Sequence, residues 1–414
     1  MNNKKKVLII GSSAKEYALA KYLHKLDYIE QVYVAPGNFF VGEFAQRLDI
    51  RETDVDALLE FAIKNDIDMT IASSSEAIKA DIVSNFKENS QPIFAPSVEA
   101  AGFALSAAIS KKFLYKLHLQ TAKFGIFDKL PLASDYIKNE KYPLLITTEY
   151  NAETAPRAVC ATVLQAQRCL NDIFSQDESR VVIEEYLYGH PFTLYVISDG
   201  YSALPINVVG DYKFQNDGDG GFYTLGAGAY LPDYKVSLEQ VSQIMENVVS
   251  KIMTNLQNRG TPYIGILGIE CVLNKENQCL VVGFTPFLKD HDAQAVLSSL
   301  DIDLYAVMEA CINGSFADDY EDILLKDNSI ISCVLSARKD GSVITGLEMV
   351  DDTTDISYFG CTKNEFFETL TNKGRTLVIT QSAGTLSRAR ELLYDNIEDI
   401  YFDGITFRRD ICSE

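Results

Sequence analysis

The sequence lacks any long hydrophobic run. None of its apolar segments approaches the roughly eighteen residues that a membrane-spanning helix needs. The basic triplet Lys4-Lys5-Lys6 is followed by only four apolar residues before Gly11, a stretch shorter than the apolar core of a signal peptide. We therefore expect a soluble, cytoplasmic protein with no membrane partner.

Positive charge and metal-binding side chains are also scarce. The chain has 37 Lys and Arg residues against 58 Asp and Glu residues, which gives a formal net charge of −21. Because such a surface repels nucleic-acid phosphates, we expect no nucleic-acid partner. None of the four histidines is spaced as in a zinc site. The eight cysteines form no Cys-x-x-Cys pair, which indicates reduced and mostly buried thiols.

The remaining composition is that of an ordinary globular protein, with 47% hydrophobic and 23% charged residues in a chain of 414. This length predicts roughly two to four domains. In the first hundred residues, helical patterns alternate with short apolar runs at 7–10, 31–35, 68–72 and 92–95. The alternation predicts a parallel sheet with helices on both faces. Gly11 and Pro36-Gly37-Asn38 are turn signals at the strand ends, the edge where ligands bind in such sheets.

Beyond residue 100 the pattern changes. A helix is expected at 110–119, followed by strands at 142–146, 180–186, 192–197 and 203–209. A long helix should begin at Ser237, which forms a capping box with Gln240. Two strands at 265–272 and 278–284 predict an antiparallel hairpin. From about residue 325, strands at 331–336 and 376–380 and a helix at 387–396 indicate a smaller α+β unit.

Six short motifs carry a resemblance that covers nearly the whole chain. They are KVLIIG at 6–11, EYALA at 16–20, VYVAPGN at 32–38, VIEEYL at 182–187, the glycine-rich stretch 217–230 and GITFRRDI at 404–411. One such motif would be a weak signal, but six in this order resemble the phosphoribosylamine–glycine ligase (glycinamide ribonucleotide synthetase) family of the ATP-grasp superfamily.

The resemblance implies a fold of mixed α/β and α+β class. It predicts an N-terminal Rossmann-like, pre-ATP-grasp domain (1–100), a connecting helix region (101–121), an ATP-grasp lid (122–187), an antiparallel core (188–324) and a C-terminal α+β domain (325–414). It also implies a reaction that uses ATP and Mg²⁺. ATP phosphorylates the glycine carboxylate, and the amine of phosphoribosylamine then attacks the acyl phosphate. Lysines and magnesium must neutralise the charge that shifts in such a transfer.

The phosphate loop departs from the family's pattern. In the family, two lysines and several glycines hold the phosphates, whereas the aligned stretch 147–156 contains neither residue type. Thr147 and Ala155 stand at the lysine positions, and Glu149 and Glu153 add negative charge. These differences predict weak ATP binding.

The metal site departs as well. The family's magnesium-binding Glu-Phe-Asn is Gly283-Phe284-Thr285 here, so neither ligand of the pair is kept. Glu270 on the preceding strand is the alternative ligand, with Asp290 and Asp292 nearby in sequence. The other interpretation of Glu270 is a strand residue that faces solvent or a hydrogen bond.

Other ligand positions match the family, and the turn at 11–15 is altered rather than lost because Ser12, Ser13 and Lys15 can still bind a phosphate. The resemblance assigns nucleotide binding to Lys111, Glu184, Glu185 and Leu187. It assigns substrate binding to Gly11, Ser12, Ser13, Lys15, Gly226 and Gly228. The candidates for catalysis are Asp211, Lys213, Asp217 and Asp219. For Lys111, a solvated position on its helix is the alternative.

The positions that differ are those whose family role is chemistry, whereas the scaffold motifs match. The leading interpretation is therefore a family member with little or no ligase activity. It would bind a nucleotide or sugar phosphate, or a protein partner, in purine synthesis. The alternatives are a working ATP-dependent carboxylate–amine ligase, with a changed substrate or metal arrangement, and a nucleotide sensor.

Overall fold

The N-terminal part of the chain is a five-stranded parallel sheet. The structure is a computed structural model that describes residues 4–149, 157–175 and 180–413. The strands are β1 (Lys5–Gly11), β2 (Ile29–Pro36), β3 (Gln46–Arg47), β4 (Met69–Ala72) and β5 (Ile93–Phe94), in the spatial order β3-β2-β1-β4-β5. The helices between them are α1 (Ala14–His24), α2 (Val55–Lys64), α3 (Ser75–Lys79) and α4 (Ile82–Glu88).

The predicted pairing of the first two strands is confirmed. β1 runs parallel to β2 in one register from Lys6 opposite Gln31 to Gly11 opposite Pro36. The apolar residues of β1 are fully buried because helices cover both faces of the sheet. The carboxyl ends of these strands therefore meet at one edge.

The helix expected at 110–119 is wrong in its bounds, because it begins and ends three residues earlier, as α6 (Ala107–Lys116). A further helix, α5 (Val98–Leu105), precedes it. Ser106 separates them in an extended conformation, and its hydroxyl accepts a hydrogen bond from the Ile109 amide. An N-cap of this kind begins a new helix, which the apolar periodicity alone did not reveal.

A four-stranded antiparallel sheet follows, which we call the lid sheet. Its strands are β6 (Phe124–Phe127), β7 (Leu144–Thr148), β8 (Arg157–Cys160) and β9 (Val181–Glu185), in the order β6-β9-β7-β8. Helices α7 (Leu130–Ile137) and α8 (Val163–Ser175) pack on it.

The rest of the chain is built around a nine-stranded antiparallel sheet, the core sheet. Its strands are β10 (His190–Asp199), β11 (Ala203–Asn216), β12 (Gly220–Leu231), β13 (Ile264–Leu273), β14 (Cys279–Thr285), β15 (Ser329–Ala337), β16 (Thr354–Tyr358), β19 (Gly374–Ala383) and β20 (Ile405–Thr406). A separate pair is formed by β17 (Cys361–Lys363) and β18 (Thr369–Thr371). The predicted hairpin of β13 and β14 is confirmed.

The C-terminal strands extend the core sheet rather than forming a sheet of their own. β15 pairs with β12, where Gly228 lies opposite Cys333, and β19 continues from β15. The helices on this sheet are α9 (Leu238–Ile244), α10 (Ser250–Asn258), α11 (Asp290–Ser299), α12 (Leu304–Asn313), α13 (Phe316–Asp319) and α14 (Leu386–Asp399).

The helix that begins at Ser237 has the predicted capping box. The Ser237 hydroxyl accepts from the Gln240 amide at 3.2 Å, and the Gln240 side chain accepts from the Ser237 amide at 2.8 Å. A π-helical turn at Met245–Val249 joins α9 to α10. In the part of the chain that the structure describes, no helix has the length and hydrophobicity needed to cross a bilayer.

Candidate functional site

The larger of two adjoining cavities lies where the carboxyl edge of the parallel sheet meets the core sheet. It has a volume of about 230 Å³. Six basic residues line it: Lys15, Lys79, Arg157, Lys213, Lys289 and Arg375. Three acidic residues line it: Glu76, Glu270 and Asp290. In a chain of net charge −21, this excess of basic groups favours an anionic ligand.

The smaller cavity lies between the lid sheet and the β13–β14 hairpin. Its volume of about 100 Å³ is below the roughly 300–1,000 Å³ of typical ligand pockets. Apolar side chains of Phe103, Leu145 and Leu187 line it, beside the charged Lys111 and Glu184. The two cavities share a wall formed by Arg157, Glu270 and Phe284. The nucleotide-binding candidates Lys111, Glu184, Glu185 and Leu187 all line this smaller cavity.

Lys111 is neither solvated nor directed into open space. Its ammonium group lies 2.7 Å from the Glu184 carboxylate and donates to the Val282 carbonyl at 2.9 Å. Both charged side chains are buried, at 2% and 8% exposure. A ligand that uses either side chain must therefore compete with this ion pair.

A buried ionic cluster lies under the shared wall. The Asp211 carboxylate contacts the ammonium groups of Lys213 (2.7 Å) and Lys289. The ring of His291 lies 3.1 Å from Asp211 and from Asp292. Burial alone would raise the pKa of Asp211, but Lys213, Lys289 and His291 hold it well below its usual range. The cluster therefore carries fixed charges of both signs near neutral pH.

A second ionic group joins the parallel sheet to the C-terminal strands. The ammonium group of Lys15 lies 3.3 Å from Glu16, and its amide donates to Asp290 at 3.1 Å. Arg375 contacts the same Asp290 at 3.3 Å, and Ser73 donates to Glu16 at 2.6 Å. Burial would lower the pKa of Lys15, but Glu16 and Asp290 raise it. Lys15 is thus a charged group at the edge of the larger cavity.

The residues at the expected metal position do not fit a magnesium ion. The β13–β14 register places Gly283 opposite Glu270, and Gly283 has no side chain to offer. Glu270 lies 3.2 Å from Lys213, while Asp290 and Asp292 are engaged by Arg375 and Lys289. Within the described residues, no group of three or more His, Cys, Asp or Glu side chains could hold a metal ion.

The electrostatics of Glu270 are consistent with this conclusion. Burial would raise the pKa of Glu270, but Lys213 and Lys289 outweigh burial and hold it at about 2. A divalent cation here would have to replace these ammonium groups as the partner of Glu270. In the structure Glu270 is a strand residue that accepts a hydrogen bond from Lys213.

Comparison with known proteins identifies the family. The family models for phosphoribosylglycinamide synthetase match residues 5–103 (N domain), 106–293 (ATP-grasp domain) and 336–414 (C domain). The phosphoribosylamine–glycine ligase of Halalkalibacterium halodurans is 30% identical over 99% of this chain and 96% of its own length. The chain belongs to the phosphoribosylamine–glycine ligase family.

Solved structures show the same fold. The phosphoribosylamine–glycine ligase of Thermotoga maritima matches with a TM-score of 0.79 and 21% identity, over 98% of this chain and 100% of that chain. The biotin carboxylase domain of the Hydrogenobacter thermophilus 2-oxoglutarate carboxylase, in complex with MgADP and bicarbonate, matches with a TM-score of 0.71 and 12% identity, over 97% and 91% of the two chains. The predicted ATP-grasp fold class is therefore confirmed.

Against this ligase fold, the predicted catalytic candidates separate into two places. Asp211 and Lys213 lie in the buried cluster under the cavities. Asp217 and Asp219 lie instead at the tip of the β11–β12 hairpin, where they contact the C-terminal segment. Asp219 forms an ion pair with Arg408 at 2.9 Å, and Asp217 accepts from the Arg409 amide at 2.7 Å. The glycine-rich motif at 217–230 and the C-terminal motif at 404–411 therefore contact each other.

The predicted substrate-binding residues form two groups, with Gly11, Ser13 and Lys15 gathered around Glu16 and the two later glycines on β12. Lys15 lines the larger cavity, Ser13 hydrogen-bonds Glu16, and Ser12 is exposed. The remaining three are glycines whose missing Cβ leaves room for a neighbouring side chain: Gly11 for Glu16, Gly226 for His291 and Gly228 for Ile411. In the structure these glycines serve close packing.

In the lid of this ligase fold, the repulsion expected from Glu149 is largely neutralised. The Glu149 carboxylate lies 2.5 Å from the Arg180 guanidinium and does not line either cavity. Thr147 lines the smaller cavity. Glu153 and Ala155, for which the sequence predicted repulsion and a lost lysine, lie outside the described residues.

Four cationic residues of the site were missed by the sequence reasoning: Lys79, Arg157, Lys289 and Arg375. Arg157 directly follows the stretch 147–156, where the resemblance predicts phosphate-binding lysines, so a search for any cation near that stretch would have found it. Lys289 precedes two acids that were considered as metal ligands. Burial lowers the pKa of Arg375 to about 10, so it stays charged at neutral pH. Arg375 lies more than 80 residues beyond the β13–β14 hairpin, and no pattern in the sequence linked it to the site.

Proposed function

We propose that this protein is a member of the phosphoribosylamine–glycine ligase family with little or no ligase activity and weak Mg-ATP binding. The observation that supports the proposal is the absence of an acidic pair at the metal position, where Gly283 faces Glu270 and Glu270 is engaged by Lys213. Acyl phosphate formation needs the developing phosphoryl charge to be neutralised, and magnesium is the usual source of that charge.

Two further features support weak nucleotide binding. The smaller cavity is narrow, and its polar groups Lys111 and Glu184 already satisfy each other. Thr147 supplies no charge to a phosphate. Each lost charge-assisted contact weakens binding by roughly 1.5–3 kcal/mol, so two such losses weaken it by on the order of a hundredfold or more.

The assay for this proposal supplies glycine, Mg-ATP and phosphoribosylamine generated in the reaction, and measures ADP and the ligated product. The Halalkalibacterium halodurans ligase is the positive control. We expect product formation at least about a hundredfold slower than in the control. Product formation within about tenfold of the control, or calorimetric Mg-ATP binding at roughly micromolar Kd, would overturn the proposal.

A working carboxylate–amine ligase is the second candidate. The observation in its favour is the set of basic groups on the larger cavity, which would suit an anionic substrate. In this case product should form, with a metal requirement that differs from that of the control enzyme. If no product forms, the larger cavity is assigned to binding alone, and the partner is a small phosphorylated molecule or a protein of purine synthesis.

A further inference from the structure

The wall shared by the two cavities brings together cations from three distant segments. Arg157 begins β8 of the lid sheet, Lys213 lies in β11 of the core sheet, and Lys289 directly precedes α11. All three line the larger cavity, and Arg157 lines both cavities. Glu270 is the acid at this wall, with Lys213 at 3.2 Å.

Two of the acids that contact Lys213 and Lys289 are more deeply buried than the lysines themselves. The side chains of Asp211 and Asp292 have 0% exposure, whereas those of Lys213 and Lys289 are 11% exposed at the cavity. The cavity therefore exposes part of Lys213 and Lys289 to an entering ligand while Asp211 and Asp292 stay buried, and Glu270 remains the acid at the wall. An anion would meet ammonium and guanidinium groups, while a divalent cation would be repelled by them.

We propose that this site binds a phosphate-bearing anion through fixed side-chain cations, chiefly Arg157 with Lys213 and Lys289, without a divalent metal ion. The inference rests on the proposed function in one respect, namely that the family's metal ligands are absent from this chain. It goes further, because it assigns the metal's electrostatic role to residues of this protein. Arg157 is the natural anchor, since a guanidinium binds a phosphate through two parallel hydrogen bonds.

Glu270 has a defined part in this arrangement. It acts as an internal anion that holds Lys213 until a phosphate takes its place. Removing its charge should therefore strengthen anion binding, whereas a metal ligand at this position would weaken binding when removed. The two models thus predict opposite signs for one substitution.

The experiment is calorimetry of the full chain with inorganic pyrophosphate as the probe, first in EDTA and then with excess MgCl₂. We expect binding in EDTA and no gain from magnesium. Arg157→Gln should raise the Kd about tenfold or more, and Arg157→Lys should retain part of the affinity. The matched control is Arg51→Gln, which makes the same change at an exposed site and should leave the Kd unchanged.

Glu270→Gln is the deciding variant and should lower the Kd in EDTA. Three results would overturn the inference: pyrophosphate binding that requires magnesium, an Arg157→Gln Kd equal to that of Arg51→Gln, or weaker binding by Glu270→Gln. Thermal unfolding without ligand shows whether each variant is folded. Because ligation is measured separately, an active protein that binds pyrophosphate without metal would refute the proposed function and leave this inference standing.

Discussion

At the scale of single residues, Gly226 shows how the glycine-rich hairpin supports the charged cluster. Its φ is +142°, a conformation that L side chains rarely adopt, and a Cβ would lie 1.9 Å from the His291 ring. His291 in turn lies 3.1 Å from Asp211. The glycine therefore lets the imidazole sit against the strand and reach the buried carboxylate.

Gly226→Ala should lower the free energy of unfolding by about 3 kcal/mol, because strain and overpacking act together. The control is Gly260→Ala, where φ is also positive (+70°) but the space around the Cβ is open. That change should cost only about 1 kcal/mol from strain. Urea denaturation measures the free energy of unfolding of both variants. Equal decreases would show that the His291 ring moves aside without destabilising the protein.

At the scale of secondary-structure elements, the β13–β14 hairpin decides where a metal site could form. Its register places position 283 directly opposite Glu270, and a Cβ at Gly283 would lie 3.9 Å from the Glu270 carboxyl carbon. There is room for a side chain at 283. A one-residue slip of the pairing would turn it to the other face of the sheet.

Gly283→Glu combined with Thr285→Asn should therefore introduce magnesium-dependent stabilisation by ATP. The gain should be partial, because Lys213 and Arg157 still face the new carboxylate and Thr147 supplies no charge. Thermal shift with ATP, with and without magnesium, measures it. Adding Glu270→Gln to the double variant should abolish the gain. If the wild-type protein already shows the full magnesium-dependent shift, the native chain binds magnesium. The conclusion that its residues do not fit this ion would then be wrong.

At the scale of the whole molecule, one arginine joins the β11–β12 hairpin to the C-terminal segment. Arg408 has only 2% side-chain exposure and forms ion pairs with Asp219 (2.9 Å) and Asp410 (2.6 Å). It also donates to the Phe214 carbonyl and lies 4.6 Å over the Tyr212 ring. The last residues of the chain are thus held against β11, whose other residues carry the buried cluster.

Arg408→Ala should lower the free energy of unfolding by about 2–3 kcal/mol, since a buried, multiply bonded guanidinium is lost. Arg409→Ala is the matched control, because the neighbouring arginine is exposed and should contribute less than about 1 kcal/mol. Urea denaturation compares the two. Similar losses would show that the C-terminal segment is held by its apolar contacts instead.

The sequence by itself determined the features that depend on near neighbours along the chain. The strand–helix alternation, the Ser237 capping box and the β13–β14 hairpin arise from residues a few positions apart, so their patterns could be read directly. The ordered motifs added the family and the fold. The same motifs led to the expectation that the phosphate-loop lysines and the metal ligands are missing, because the residue types at 147–156, 283 and 285 can be read without a structure.

Only the tertiary structure decided which charges meet. Arg157, Lys289 and Arg375 come from separate segments, and Lys111 is paired with a glutamate 73 residues away. Asp217 and Asp219 proved to be partners of the C-terminal segment, nearly 200 residues further along the chain. Coulomb interactions depend on distance in space and on burial, and neither is encoded by spacing along the chain. The absence of lysine from 147–156 was therefore visible in the sequence, whereas the grouping of Arg157, Lys289 and Arg375 around one cavity became visible only in the folded chain.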